Sequence, residues 1–175
     1  VPGSLFAANR IPLGSSHLGV KVTHFQFTES DFDDIGCDEG TYFGAEWFFE
    51  AVRNLCLGAE VGYTNPDGSV LGVNTEVTYL PVELNLKYAL AVTPQFWVCL
   101  GAGGSYNYGK VKIKAPIDED ENDWMLGGQA FIDASFTFLD RFFVGLNGKY
   151  QVTEKFKSEV EFNNWRVGGH FGITF

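Results

Sequence analysis

The chain has 175 residues and a formal net charge of −10, with 12 Lys and Arg against 22 Asp and Glu and a sequence pI near 4.6. That length fits one domain, and the acidic balance excludes a nucleic-acid-binding surface and disfavours attraction to anionic lipid headgroups. A mean hydropathy of −0.03, with no apolar run of eighteen residues, excludes a membrane-spanning helix, whereas 21 Gly and 16% aromatics suit many strands and turns.

Residues 1–15, with Pro2, Gly3, Pro12 and Gly14, read as a flexible leader ahead of one folded unit over 16–175. No secretory signal peptide is present, so a mature chain is expected. From there apolar residues alternate with polar or small ones along successive segments, the period of an extended strand. The first strand, about His17 to Phe27, sets Leu18, Val20 and Val22 against Lys21 and Thr23. The second, about Thr41 to Glu50, sets Phe43, Ala45, Trp47 and Phe49 against Gly44, Glu46 and Phe48. The third, Leu55 to Thr64, alternates Leu55, Leu57, Ala59, Val61 and Tyr63 with Cys56, Gly58, Glu60 and Gly62.

The fourth strand breaks its own pattern. Val73, Thr75, Val77 and Tyr79 share one parity, while Leu80, Val82, Leu84, Leu86 and Tyr88 share the other. A one-residue slip turns every side chain over, so a β-bulge is expected near Tyr79 to Pro81, where a proline is tolerated. The fifth strand sets Phe96, Val98, Leu100, Ala102 and Tyr106 against Cys99, Gly101, Gly103, Ser105 and Asn107. The sixth sets Trp124, Leu126, Ala130, Ile132, Ala134 and Phe136 against Gly127, Gln129, Asp133 and Ser135. The seventh sets Phe142, Val144, Leu146 and Tyr150 against Gly145, Asn147, Lys149 and Gln151. In the last, Trp165, Val167, Gly169, Phe171, Ile173 and Phe175 oppose Arg166, Gly168, His170, Gly172 and Thr174.

Short connections at 51–54, 89–94 and 139–141 alternate with longer ones at 28–40, 110–123 and 153–163 and a medium one at 65–72. Apolar-faced strands of about ten residues, joined alternately by short turns and long loops, predict an all-β fold: a closed antiparallel eight-stranded transmembrane β-barrel, an up-and-down meander. A soluble barrel would point its apolar face inward. Residue volume argues against that, because an eight-stranded lumen is only just wide enough for side chains and the Trp, Phe, Tyr and Leu of the apolar face overfill it. The other face carries Gly44, Gly58, Gly62, Gly101, Gly103, Gly127, Gly145, Gly168 and Gly172, which suit a crowded interior. Aromatics also gather at the strand ends. Tyr63, Tyr106, Trp124, Tyr150 and Trp165 flank the long loops, and Phe49, Tyr88, Phe96, Phe138, Phe142 and Phe175 flank the short turns or the terminus, as two interfacial girdles would.

The chain resembles the small outer-membrane β-barrel superfamily of OmpA/OmpX-like eight-stranded barrels, the outer membrane protein β-barrel domain. The segment 78–88, centred on Leu80-Pro81, and 96–108, with Gly101, Gly103 and Gly104, are similar to successive strands of that superfamily, and the likeness runs from Ser16 to Phe175. The resemblance implies a Gram-negative outer membrane, with termini periplasmic and long loops extracellular. It also implies contact with outer-membrane lipid and lipopolysaccharide, and an assembly signal at Phe171, Ile173 and Phe175 for the barrel-assembly machinery. The superfamily holds adhesins, structural anchors, small pores and a few enzymes.

The inward face carries Glu46, Glu60, Glu83 and Asp133 against Lys21, Lys87, Lys149 and Arg166, with His170 nearby. Buried charges must be paired, and two readings are open: a side-chain plug that rigidifies the barrel, or a proton or ion path. The outer connections are acidic, with Asp31, Asp33, Asp34 and Asp38 in the first and Asp118 and Asp120 in the third. They read as solvated charge, with a divalent cation site as the other possibility. Cys37, Cys56 and Cys99 permit at most one internal disulfide and have no metal-type spacing.

No catalytic set is expected. A lipid A deacylase of this superfamily carries His-x-Ser, and neither His24 nor His170 has a serine two residues on. The expected function is therefore a non-enzymatic barrel with a filled lumen, no cofactor, and acidic loops serving membrane integrity or surface recognition and adhesion. The alternatives are an OmpW-like narrow pore or lateral pathway for small hydrophobic molecules and, behind it, a lipid A-modifying enzyme.

Overall fold

The computed structural model describes residues 15–70, 73–114, 119–157 and 160–175. Nearly all of the expected leader lies outside them. Eight long strands make the wall: β1 (Ser16–Phe27), β2 (Glu39–Val52), β3 (Leu55–Tyr63), β5 (Val73–Ala91), β6 (Phe96–Lys114), β7 (Glu119–Phe138), β8 (Phe142–Thr153) and β11 (Asn164–Thr174). Each pairs antiparallel with the next. The ring closes twice over, β3 on β5 through Val61↔Val82 and β1 on β11 through Val20↔Phe171. At the closing seam the Ser16 N–H donates to the Phe175 carbonyl at 2.8 Å and the Phe175 N–H to the Ser16 carbonyl at 2.9 Å. Where all eight described wall strands run side by side, each is paired on both edges, which is what a bilayer interior demands. The short pieces β4 (Asp67–Val70), β9 (Lys155–Phe156), β10 (Val160–Glu161) and the helix α1 (Ser30–Asp34) sit at the long-connection end.

Burial follows the strand parity read from the sequence. Along β2 it alternates residue by residue, with Tyr42, Glu46 and Phe48 buried and Phe43, Trp47 and Phe49 exposed. The outward face is apolar and open, reaching 72% exposure at Leu84 and 70% at Leu146. No water-soluble protein gains from such a continuous apolar girdle; lipid covers it. Leu84→Arg should therefore cost about 2–4 kcal/mol if the residue sits near the bilayer midplane. Denaturant titration in lipid vesicles checks this, and a loss below about 0.5 kcal/mol would place Leu84 outside the hydrocarbon.

Two expectations are corrected. No bulge interrupts the fourth wall strand: β5 keeps one register with β6 from Asn74↔Lys114 to Ala91↔Trp97, and Thr64↔Tyr79 continues the β3 register. Thr75, Val77, Tyr79, Pro81, Glu83, Asn85, Lys87 and Ala89 all point inward. The apparent change of face is a change in what fills the interior, from polar groups mid-barrel to an apolar cluster at the long-connection end. Second, the expected loop over 110–123 is largely strand. Lys110↔Asn122, Val111↔Glu121 and Lys112↔Asp120 are register partners in an extension of the β6–β7 hairpin. At 19, 19 and 20 residues, β5, β6 and β7 exceed the 9–11 a crossing needs, so the wall rises past the bilayer on that side.

Candidate functional site in the lumen

Every charged residue expected to face inward is buried: Lys21, Glu46, Glu60, Glu83, Lys87, Asp133, Lys149, Arg166 and His170. Small residues make that possible. A Cβ at Gly62 would overlap the Tyr42 phenol, and one at Gly101 would overlap the Phe131 ring. Glycine on one strand thus accommodates an aromatic ring reaching across from another, and the lumen fills without distorting the wall.

Glu60 is the hub of the ionic layer. Its Oε2 accepts from Lys21 Nζ at 2.8 Å and Lys149 Nζ at 2.7 Å, its Oε1 accepts from the Tyr42 hydroxyl at 2.9 Å, and Arg166 Nη1 lies 3.9 Å away. Glu83 accepts from Lys149 at 2.5 Å and from Arg166 Nη2 at 2.8 Å, and Glu46 Oε2 lies 3.0 Å from Lys21. The Arg166 guanidinium also stands over the Tyr42 ring, 4.4 Å from its centroid. These contacts link six strands, so each charge is compensated largely by groups that come from distant parts of the chain. Lys87 is held more loosely. Its Nζ is 3.8 Å from Asp133 Oδ2 and 3.7 Å from the centre of the Phe48 ring.

Beyond Arg166, Gln151 carries the network outward. Its Oε1 accepts from Arg166 at 2.6 Å and its Nε2 donates to Ser105 Oγ at 2.7 Å and Asn107 Oδ1 at 3.0 Å. The Tyr79 hydroxyl lies 2.9 Å from Asn107 Oδ1 and packs its ring into a cluster of Phe25, Phe27, Phe32, Met125, Phe156 and Phe162. Phe27 and Phe32 stack at 4.0 Å, and Phe162 meets both edge-on. Phe32 comes from α1 and Phe156 from β9, so the connections themselves fold down as a cap. Strand parity had marked the ionic layer but not this cap. Its phenylalanines lie partly in segments read as loops, and only the helical turn of 30–34 aims Phe32 inward.

Of the acidic residues singled out, Asp31, Asp33 and Asp34 are exposed on α1, Asp38 accepts from Gln26 Nε2 at 3.4 Å, Asp120 lies in β7 and Asp118 is outside the described residues. Among the described residues, no three His, Cys, Asp or Glu come together as a cation site. The three cysteines are free. Cys37 is fully buried under the cap, its thiol donating to the Thr75 carbonyl at 3.3 Å. Burial, with the Asp67 carboxylate adding to it, pushes that thiol up to about 11. Cys37 should therefore resist alkylation at pH 8 in the folded barrel and react on unfolding, as mass spectrometry of iodoacetamide-treated protein would read. Modification of Cys37 in the folded state would show that the cap opens.

At the short-turn end, His170 Nε2 lies 3.0 Å from Ser135 Oγ, and its Nδ1 lies 3.6 Å from Glu46 Oε1. The His-x-Ser pattern cannot reveal this pair, because strand register rather than chain proximity makes it. Phe171 and Ile173 take the outward parity of β11, opposite to His170, and Phe175 follows the end of the strand, exposed.

The family model of the outer membrane protein β-barrel domain matches residues 4–173. No curated protein matches the sequence. Among solved structures, the attachment invasion locus protein Ail of Yersinia pestis is 13% identical over 93% of this chain and 99% of its own, with a TM-score of 0.62. The neisserial surface protein NspA is 11% identical over 92% and 96%, at 0.64, and OprG of Pseudomonas aeruginosa 13% identical over 93% and 96%, at 0.58. At such identities these structures share the fold. A closed inside-out barrel of eight strands, matched almost end to end by the family model, belongs to the outer membrane protein β-barrel domain family, whose members point to the Gram-negative outer membrane.

Proposed function

We propose that this protein is a non-conducting outer-membrane barrel whose role is carried by its acidic outer connections, with the lumen acting as a rigidifying plug. The observation that carries this reading is the double obstruction: the ionic layer around Glu60 and the aromatic cap around Phe162 are stacked one above the other in a lumen eight strands wide. The wall rising past the bilayer then holds the outer connections on a stiff support, the usual arrangement for recognition. In this reading the short turns and termini face the periplasm and the long connections face outward. Lipid and lipopolysaccharide cover the girdle, and the barrel-assembly machinery reads the ending at Phe171, Ile173 and Phe175.

Exposed Asp31, Asp33 and Asp34 favour a cationic partner, or lipopolysaccharide bridged by divalent cations. The charge is opposite to what a polyanion needs, and so sets this chain apart from Ail, which was crystallised with the heparin analogue sucrose octasulfate. Exchanging the connections at 28–40 and 153–163 for tight turns tests the proposal. The barrel should still fold and retain a heat-modifiable gel band, while capture of a surface partner from native membranes is lost. In the unaltered protein that capture should weaken as salt rises from 0.05 to 0.5 M. Capture that survives the exchange would move the site to the wall or lumen.

A further inference from the structure

The short-turn end of the lumen opens into a cavity of about 240 Å³, walled by Trp97, Phe143 and Pro94 and bordered by Lys87, Ser135 and His170. Strand register explains how the last two meet. Ser135 on β7 and His170 on β11 are each the register partner of the same residue, Gly145 on the intervening β8. A Cβ at Gly145 would overlap His170 Nε2, so only glycine lets the imidazole lie across β8 and reach the serine. Phe143 meets the ring edge-on at 5.5 Å, and the Glu46 carboxylate stands 3.6 Å from its far nitrogen. At that distance the carboxylate acts on Nδ1 by its charge rather than by a hydrogen bond. Its negative field favours the tautomer with the proton on Nδ1, leaving Nε2 to accept from the Ser135 hydroxyl at 3.0 Å. Ser135 is only half-buried, on the cavity side, whereas His170 and Glu46 are buried. Nucleophile, base and orienting acid are therefore ordered from open space inward.

We propose that Ser135 is an acyl-accepting nucleophile activated by His170, with Glu46 as a positioning residue, and that the cavity takes small carboxylic esters. At 240 Å³ it lies below the range of pockets for drug-sized ligands, and its apolar walls suit a short acyl chain. As the Ser135 Oγ bonds to the ester carbonyl carbon, its proton passes to His170 Nε2. The carbonyl π electrons move onto oxygen, and Lys87, which borders the same cavity and is only loosely paired with Asp133, supplies the positive charge there. Collapse breaks the bond to the alkoxy oxygen, which leaves as alcohol with the proton from His170. Water then attacks the acyl-serine, giving one proton to His170. Release of the carboxylic acid returns that proton to Ser135.

The test is covalent labelling of the full chain, folded in detergent micelles, with a fluorophosphonate, followed by peptide mapping. Ser135 should be the labelled residue, and heat-unfolded protein should not react. His170→Ala should slow labelling by about 100-fold or more. Hydrolysis of p-nitrophenyl butyrate should be lost in Ser135→Ala, and Glu46→Gln should lower kcat with KM unchanged. Because mapping is done on the unaltered protein, failure of a variant to fold does not blunt the test. No label on Ser135, or a rate indifferent to His170→Ala, overturns the proposal. A barrel with exchanged outer connections should label as the parent does, so this result and the fate of the surface-recognition reading are independent.

Discussion

Glu60→Ala should lower the unfolding free energy by about 3–5 kcal/mol, the largest stability effect expected of one substitution here. Glu60 is 2% exposed and meets three cations, Lys21, Lys149 and Arg166. Removing its carboxylate deletes no charge from those three. It leaves Glu46 and Glu83 to compensate them in an interior where each unpaired charge is costly. The reverse substitution pattern sharpens the test. Glu60→Leu combined with Lys149→Met removes one charge of each sign and should cost clearly less than Glu60→Ala alone, because the remaining acids and bases still balance. Urea titration in vesicles, read by the heat-modifiable gel shift, distinguishes the two. A Glu60→Ala barrel within about 1 kcal/mol of the parent would mean that water already reaches the layer.

The second large effect concerns conduction. The parent barrel should pass at most small, irregular currents in planar bilayers, since the ionic layer and the aromatic cap block the lumen in series. Truncating the cap alone, with Phe32→Ala and Phe162→Ala, should leave the current near baseline because the layer around Glu60 and Arg166 still spans the lumen. Truncating the cap together with Tyr42→Ala and Arg166→Ala should produce discrete, steady conductance steps, provided the gel shift shows that the barrel still folds. Steady conductance in the parent would instead make the narrow pore the better reading, with the charged residues lining a path.

The sequence alone determined which way each side chain points over most of the wall. A strand has a side-chain period of two, and an inside-out barrel needs one apolar face throughout, so Leu57, Trp47 and Leu146 declare lipid while Glu60, Lys149 and Arg166 declare the interior. The rhythm of short turns and long connections marked the same two ends that the structure has. Parity misled only where the interior itself becomes apolar. Tyr79 and Val77 looked lipid-facing because they are hydrophobic, but they pack under Phe25 and Phe162 in an unbroken register. The strand ends of β6 and β7 were also hidden, because charged hairpin arms that leave the bilayer no longer need an apolar face.

Only the tertiary structure decided which inward residues are neighbours. Barrel closure and strand stagger set that, and neither is written in any local pattern. Hence Glu60 meets Lys149, 89 residues away, Arg166 meets Glu83 across 83 residues, and Ser135 meets His170 through the space left by Gly145. A period-two pattern reports a face. A partner is a matter of register around the whole ring, and it exists only once the last strand has closed on the first.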